Sequence, residues 1–156
     1  MPTFRSATPG DAPAMALLRD SSGWGGGAPE ETIRRYLAGQ HHPQQAQTPR
    51  VAILAFAGGE LIGFIAGHRT TRLGCDGELQ WMLVAPAHRG GETATGLLRE
   101  LMVWFSENGI GNVCINVEPG NARARSFYRR HGARDHGSHW MIWAVVALHP
   151  PSPQNE

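Results

Sequence analysis

The stretch Leu79-Gln80-Trp81-Met82-Leu83-Val84-Ala85-Pro86-Ala87-His88-Arg89-Gly90-Gly91-Glu92-Thr93-Ala94-Thr95-Gly96 decides the fold. Its first six residues form an apolar run of strand length, and Ala85-Pro86 closes it. A Gly-rich turn containing Arg89 follows, and Leu97-Leu98-Arg99-Glu100-Leu101-Met102-Val103-Trp104-Phe105 continues with helical spacing. A strand that turns through glycines into a helix aims unpaired backbone N–H groups, and the positive end of the helix dipole, at the space over the turn. The first reading is therefore an anion cradle for a phosphate-bearing ligand.

Downstream, Asn108-Gly109 stops the helix and Val113-Cys114-Ile115-Asn116-Val117 is a strand, apolar enough to be central. Asn121 can cap a helix whose apolar stripe is Ala124, Phe127 and Tyr128 and which Gly132 ends. Trp140 to Ala147 reads as a last long strand, and residues 150–156 as a disordered tail. The strand–helix–strand unit from Leu79 to Val117 predicts a right-handed crossover between parallel strands.

Upstream, Thr3 to Ala7 alternates as a short strand, and Asp11 can cap a helix from Ala12 to about Asp20. Residues 21–28 are too Gly-rich for regular structure and carry Trp24, either a ligand-lining aromatic or a lid anchor. Pro29-Glu30-Glu31 opens a second helix bearing Ile33, Tyr36 and Leu37. Residues 41–49 read as a polar loop, and His41-His42 lacks a third ligand at metal-binding spacing. Val51 to Ala57 and Glu60 to His68 are two strands joined by the hairpin signal Gly58-Gly59. Arg69 to Gly77 is a loop, and Glu78 begins the strand quoted above.

The 156 residues suit one domain, spanning residues 1–149. Hydrophobic content of 41% and charged content of 17% exclude wholesale disorder. A net charge of +1 advertises neither a nucleic-acid nor an acidic-membrane partner. No apolar run is long enough to span a bilayer, and the N-terminus lacks signal-peptide layout. Cys75 and Cys114 stand in no metal-like spacing and read as free thiols of a cytoplasmic protein. The element order gives a mixed α/β fold with helices on both faces of the sheet.

The chain resembles the GNAT superfamily, the acetyl-CoA-dependent N-acetyltransferases, over essentially its whole length. The family's loop pattern is Gln or Arg, two residues, Gly, one residue, then Gly or Ala. Arg89, Gly90 and Ala94 match, whereas Glu92 occupies the central glycine position. The second signature, an Asn ahead of an aromatic–Tyr pair in a helix ending in Gly, is met by Asn121, Phe127, Tyr128 and Gly132.

The resemblance implies a largely antiparallel twisted sheet with one splayed parallel strand pair. It implies a primary amine as acceptor, which aromatics with few acids in the acceptor region suggest is a small molecule, acetyl-CoA as cosubstrate and no metal; a homodimer is common in the family. Backbone N–H groups of Arg89, Gly90, Gly91, Glu92, Thr93 and Ala94 would hold the pyrophosphate, helped by the Thr93 and Thr95 hydroxyls. A bulge would splay the preceding strand, and the pantetheine arm would bond to main chain over Met82, Leu83 and Val84 and to Asn121. The acetyl carbonyl would point at a backbone N–H. Tyr128 would serve the departing sulfur, and Glu78 would take the amine proton directly or through water, with Gln80, His68 and His139 in reserve. Trp24, Tyr36, His139 and Trp140 would border the acceptor. His131 reads as helix-end structure, a charge suited to the dipole. Two alternatives stand beside this reading. One is a non-catalytic acyl-CoA sensor, for which Glu92 is the warning sign. The other is a longer acyl donor, admitted by Gly63, Ala66 and Gly67.

Overall fold

The computed structural model describes residues 1–22, 29–43 and 45–145. Trp24 and the expected tail lie outside the described residues, as does the end of the last predicted strand.

Strands β1 (Thr3–Ser6), β2 (Gln47–Ala57), β3 (Glu60–Arg69), β4 (Gly77–Val84), β5 (Asn112–Asn116), β6 (Arg134–Asp135) and β7 (Trp140–Ala144) form one sheet. Their order is β1-β2-β3-β4-β5-β7-β6. Among the described residues only β4 and β5 run parallel; every other neighbouring pair is antiparallel. Helices α1 (Ala12–Ser21) and α2 (Glu30–Leu37) cover one face. Their Met15, Ile33 and Tyr36 pack on Leu54, Phe64 and Leu83. Helix α3 (Glu92–Glu107) covers the other, burying Leu97, Leu101 and Phe105 against Ile53, Ile65, Leu79 and Val113. Each such side chain contributes about 1.5–3 kcal/mol by leaving water. Helix α4 (Ala122–Arg130) adds Tyr128 to this second core.

Two expectations change. Residues 47–49, expected in the polar loop, belong to β2, which begins at Gln47 and not at Val51, with Gln47 paired to Arg69 across a register shift. Strand β1 reaches only Ile53 to Phe56, so this end of β2 is an open edge, where Pro49 costs no ladder bond. The small residues of β3 also have a different use. A Cβ on Gly67 would stand 2.8 Å from Phe105 Cζ, and one on Gly63 3.2 Å from Leu97 Cδ1. Ala66 is fully buried in the α1/α2 core. These positions let helices approach the sheet, and the space proposed for a longer acyl chain is filled.

The pairing of β3 with β4 slips by one residue between Ala66 and Gly67, whose partners are Trp81 and Leu79. Gln80 is the extra residue of a β-bulge. Beside it, β4 pairs with β5 only at Gly77–Val113 and Glu78–Cys114. A bulge bends and twists its strand, and beyond Glu78 the parallel strands part. The bulge also breaks the alternation that would aim Gln80 with His68.

Candidate active site

A cavity of about 660 Å3 opens where β4 and β5 part, bounded by the end of β4, the loop into α3, and α4. Its floor is Met82, Val84 and Tyr128, and its walls include Gly90, Gly91, Ala94, Thr95, Asn121 and Phe127. Arg89, Arg123, Arg130 and His131 also line it, with no carboxylate among the described lining residues. Such a volume suits an organic ligand, and the cations suit an anionic one.

The loop is built by its backbone. After Val84 a 3-10 turn spans Pro86–His88, Gly90 takes φ +79°, and Gly91 caps α3. Only glycine adopts that φ without strain. The N–H groups of Glu92, Thr93 and Ala94 begin the helix with no intrahelical carbonyl to receive them. Arg89 Nε donates to the Val84 carbonyl at 3.1 Å, tying the loop to the strand. Ala85 N–H donates to Ile62 at 2.8 Å, and the Leu83 carbonyl lies against Gly63. The backbone groups of Leu83 and Ala85 thus serve β3. Those of Met82 and Val84 turn, by strand alternation, to the gap.

The side chains of three expected contact residues turn away from this cavity. Leu83 is absent from the cavity: its side chain is buried in the α1/α2 core and its carbonyl faces β3. Thr93 buries its side chain against Gly63, so only its N–H is left for a ligand. Glu92 is exposed and lines a neighbouring groove of about 330 Å3, with Thr93, His88 and the N-terminal Met1. Its carboxylate does not border the larger cavity.

Helix α4 presents Asn121, Ala124, Tyr128 and His131 at helical spacing. Asn121 Oδ1 accepts from Ala124 N–H at 3.1 Å, which leaves the amide nitrogen for the cavity it lines. The Tyr128 hydroxyl donates to Met82 Sδ at 3.6 Å, and its ring stacks on Trp143. Burial pushes the phenol pKa well above its ordinary value, so it remains a donor. Buried Arg125 fixes the helix from behind, donating to Val117 O at 3.0 Å, to Asp135 at 3.1 Å and to Ser138 O.

The expectation of a helix-end charge at His131 is also corrected. The ring packs on Phe127 and lies 3.5 Å from Thr95 Oγ1. Burial, then Arg130 and Arg99, hold its pKa below the ordinary value, which favours neutral imidazole. Sequence reasoning missed His131, Arg123 and Arg130 as lining residues. The signal was their spacing on the helix that carries Asn121.

Glu78 occupies the other side of the sheet at the point of the V. It is 6% exposed, with Oε1 at 3.6 Å from His68 Nε2 and 3.5 Å from Arg72 Nε. His68 Nδ1 lies 2.8 Å from the Tyr36 hydroxyl. Tyr36 packs on Trp81, and Arg72 stacks on Trp140. His139 is exposed and contributes its carbonyl to Val117. Cys75 and Cys114 are buried free thiols of one small cluster. Among the described residues no group of His, Cys, Asp and Glu could hold a metal ion, and no helix is long and apolar enough to cross a membrane.

The sequence model of the acetyltransferase (GNAT) family matches residues 16–133. No curated protein matches the chain. Among solved structures, an acetyltransferase from Thermus thermophilus superposes with TM-score 0.71 at 22% identity, over 92% of this chain and 97% of that one. The ribosomal-protein-S18-alanine N-acetyltransferase from Escherichia coli gives 0.74 at 15% identity, over 93% and 94%. The PaiA N-acetyltransferase from Thermoplasma acidophilum, in complex with coenzyme A, gives 0.68 at 20% identity, over 91% and 97%.

Proposed function

This chain belongs to the GNAT acetyltransferase family and is an acyltransferase, and from that premise we propose that it moves an acetyl group from acetyl-CoA to a small primary amine. One observation carries the reading: a cavity whose described lining holds cations and no carboxylate has Asn121 and Tyr128 at its edge, where β4 and β5 part. The residues fit the cosubstrate. The free N–H groups at the start of α3, with Arg89, suit a pyrophosphate. The main chain at Met82 and Val84 and the Asn121 amide suit a pantetheine arm.

The amine attacks the acetyl carbon, so that a C–N bond forms and the C–S bond breaks. A β4 N–H facing the gap stabilises the oxyanion. The amine proton passes to Glu78, directly or through water. The Tyr128 hydroxyl, which here already donates to a sulfur atom, gives its hydrogen bond to the departing thiolate. The half-buried Trp81 and Trp140 on the Glu78 side favour a compact, partly apolar acceptor. The outward aim of Glu92 removes the reason for a non-catalytic sensor, and the filled space at Gly63 and Gly67 the reason for a longer acyl donor.

The test is calorimetric titration with acetyl-CoA, then a screen of small amines and short peptides with a free-thiol readout. Saturable binding with amine-dependent thiol release is expected. No saturable heat refutes the reading. Release with peptide N-termini alone replaces the small amine by a protein acceptor.

A further inference from the structure

The side chains of Tyr36, His68 and Glu78 form a buried line from the helix layer into the sheet. Tyr36 comes from α2, His68 from β3 and Glu78 from β4. Tyr36 and His68 are fully buried, and the His68–Glu78 step joins partners of the β3–β4 ladder. Tyr36 Oη and His68 Nδ1 are 2.8 Å apart, and His68 Nε2 and Glu78 Oε1 are 3.6 Å apart. Nε2 is buried and, among the described residues, has no hydrogen-bond partner. The other polar neighbours are Arg50 on the Tyr36 ring, Arg72 beside Glu78, and the Cys75 and Cys114 thiols.

We infer that His68 is a positioning residue, whose Nε2–H steadies the Glu78 carboxylate while the Tyr36 hydroxyl fixes the tautomer that puts the proton on Nε2. The inference rests on the reading of Glu78 as proton acceptor. A neutral imidazole has two tautomers. If Nδ1 carried the proton and donated to Tyr36, the bare Nε2 would face a carboxylate oxygen, and the buried phenol proton would lack an acceptor. If Tyr36 donates to Nδ1, the proton sits on Nε2 and faces Glu78, and both buried groups are better satisfied. Burial raises the Tyr36 pKa, which keeps its hydroxyl protonated and able to donate. The second nitrogen of a histidine commonly decides what the first does. Here that link lets α2, on the acceptor side, govern the orientation of a carboxylate in β4.

The experiment is a long-range 1H–15N correlation of the imidazoles in the full chain labelled with 15N-histidine. His68→Gln identifies the resonance among the eight histidines. A proton on Nε2 and a hydrogen bond accepted at Nδ1 are expected. Tyr36→Phe should remove the Nδ1 signature and mix the tautomers, and Glu78→Gln should shift the Nε2 proton upfield. A wild-type ring protonated at Nδ1, or a Tyr36→Phe spectrum like wild type, overturns the inference. Once His68→Gln has assigned the resonance, the wild-type spectrum decides even if Tyr36→Phe and Glu78→Gln fail to fold. It also needs no amine, so a wrong tautomer leaves acyl transfer standing, and absent acyl transfer leaves the tautomer standing. With the best amine of the screen, His68→Leu should lose about tenfold in kcat at unchanged KM for acetyl-CoA. His68→Gln, whose amide can still donate, should recover most of it; full kcat in His68→Leu also overturns the inference.

Discussion

The Tyr128 hydroxyl and the Met82 sulfur meet at 3.6 Å between α4 and β4, beside the gap left by the parting strands. Replacing the hydroxyl by hydrogen removes the donor and little else, because the ring keeps its stack on Trp143. Tyr128→Phe should lower kcat by about 10- to 100-fold, with acetyl-CoA affinity and melting temperature near wild type. Since burial raises the phenol pKa, ionisation of Tyr128 should not limit activity near neutral pH. Steady-state kinetics across pH test both points, and an undiminished kcat in the variant excludes Tyr128 from thiolate stabilisation.

Asn121 holds two jobs on two atoms. Its oxygen caps α4 through Ala124 N–H, while its amide nitrogen is available to the cavity. Asn121→Ala should cost about 1 kcal/mol of stability and about tenfold in acetyl-CoA affinity. Asn121→Ser keeps a capping oxygen, so it should restore stability but not affinity. Denaturant melts beside titration calorimetry separate the two, and equal recovery of both properties by serine contradicts the division.

Glu92 stands where the loop pattern that this sequence resembles has glycine, yet it is exposed and borders the smaller groove. Glu92→Gln should change the dissociation constant of acetyl-CoA by less than about twofold at physiological salt. It should cost about 0.3–1 kcal/mol through the lost charge at the helix start. A tenfold tightening on calorimetry would mean that the carboxylate reaches the ligand.

His131 is held below its ordinary pKa by burial and by Arg130 and Arg99. The sign follows directly. Below a pH of about 6.5 the unfolded chain binds this proton before the folded one does. The folded protein therefore loses stability as the pH falls from there through the lower native value. A phosphate-bearing ligand favours the charged imidazole, so acetyl-CoA binding near pH 6 should take up protons. Calorimetry in buffers of different ionisation enthalpy measures that uptake. His131→Asn should diminish it, and equal uptake in both proteins assigns the proton elsewhere.

Local patterns were readable in the sequence where a residue acts on its near neighbours. The apolar run before Pro86, the glycines of the turn, the cap at Asn121 and the aromatic pair at 127–128 each specify structure within a few residues. They carried the fold and the two walls of the cavity. What escaped depends on facing elements. Leu83 turns to β3 and Thr93 buries against Gly63 because strand and helix meet there closely. The glycines of β3 serve Phe105 and Leu97, which lie more than thirty residues away in sequence. Period-two spacing misjudged Gln80 because the bulge interrupts it. The depth of Glu78 likewise comes from α2 and the β3–β4 loop, whose contacts no local pattern records.

The extra residue at Gln80 makes β4 a two-sided component. Leu79 packs with α3, and Trp81, two residues on, packs with α1 and α2, a change of side that plain alternation forbids. Pairing the strand through without the bulge, with Gln80 kept as an ordinary strand residue, would restore alternation and rotate the end of the strand by half a turn relative to its start. The side chain of Met82 would then face α1 and α2, and that of Leu83 would face Tyr128. Such a change of register would preserve the composition of the strand and scramble its addressing. In this strand the bulge is the hinge of the chemistry: it puts Met82, four residues on from Glu78, in the opposite layer.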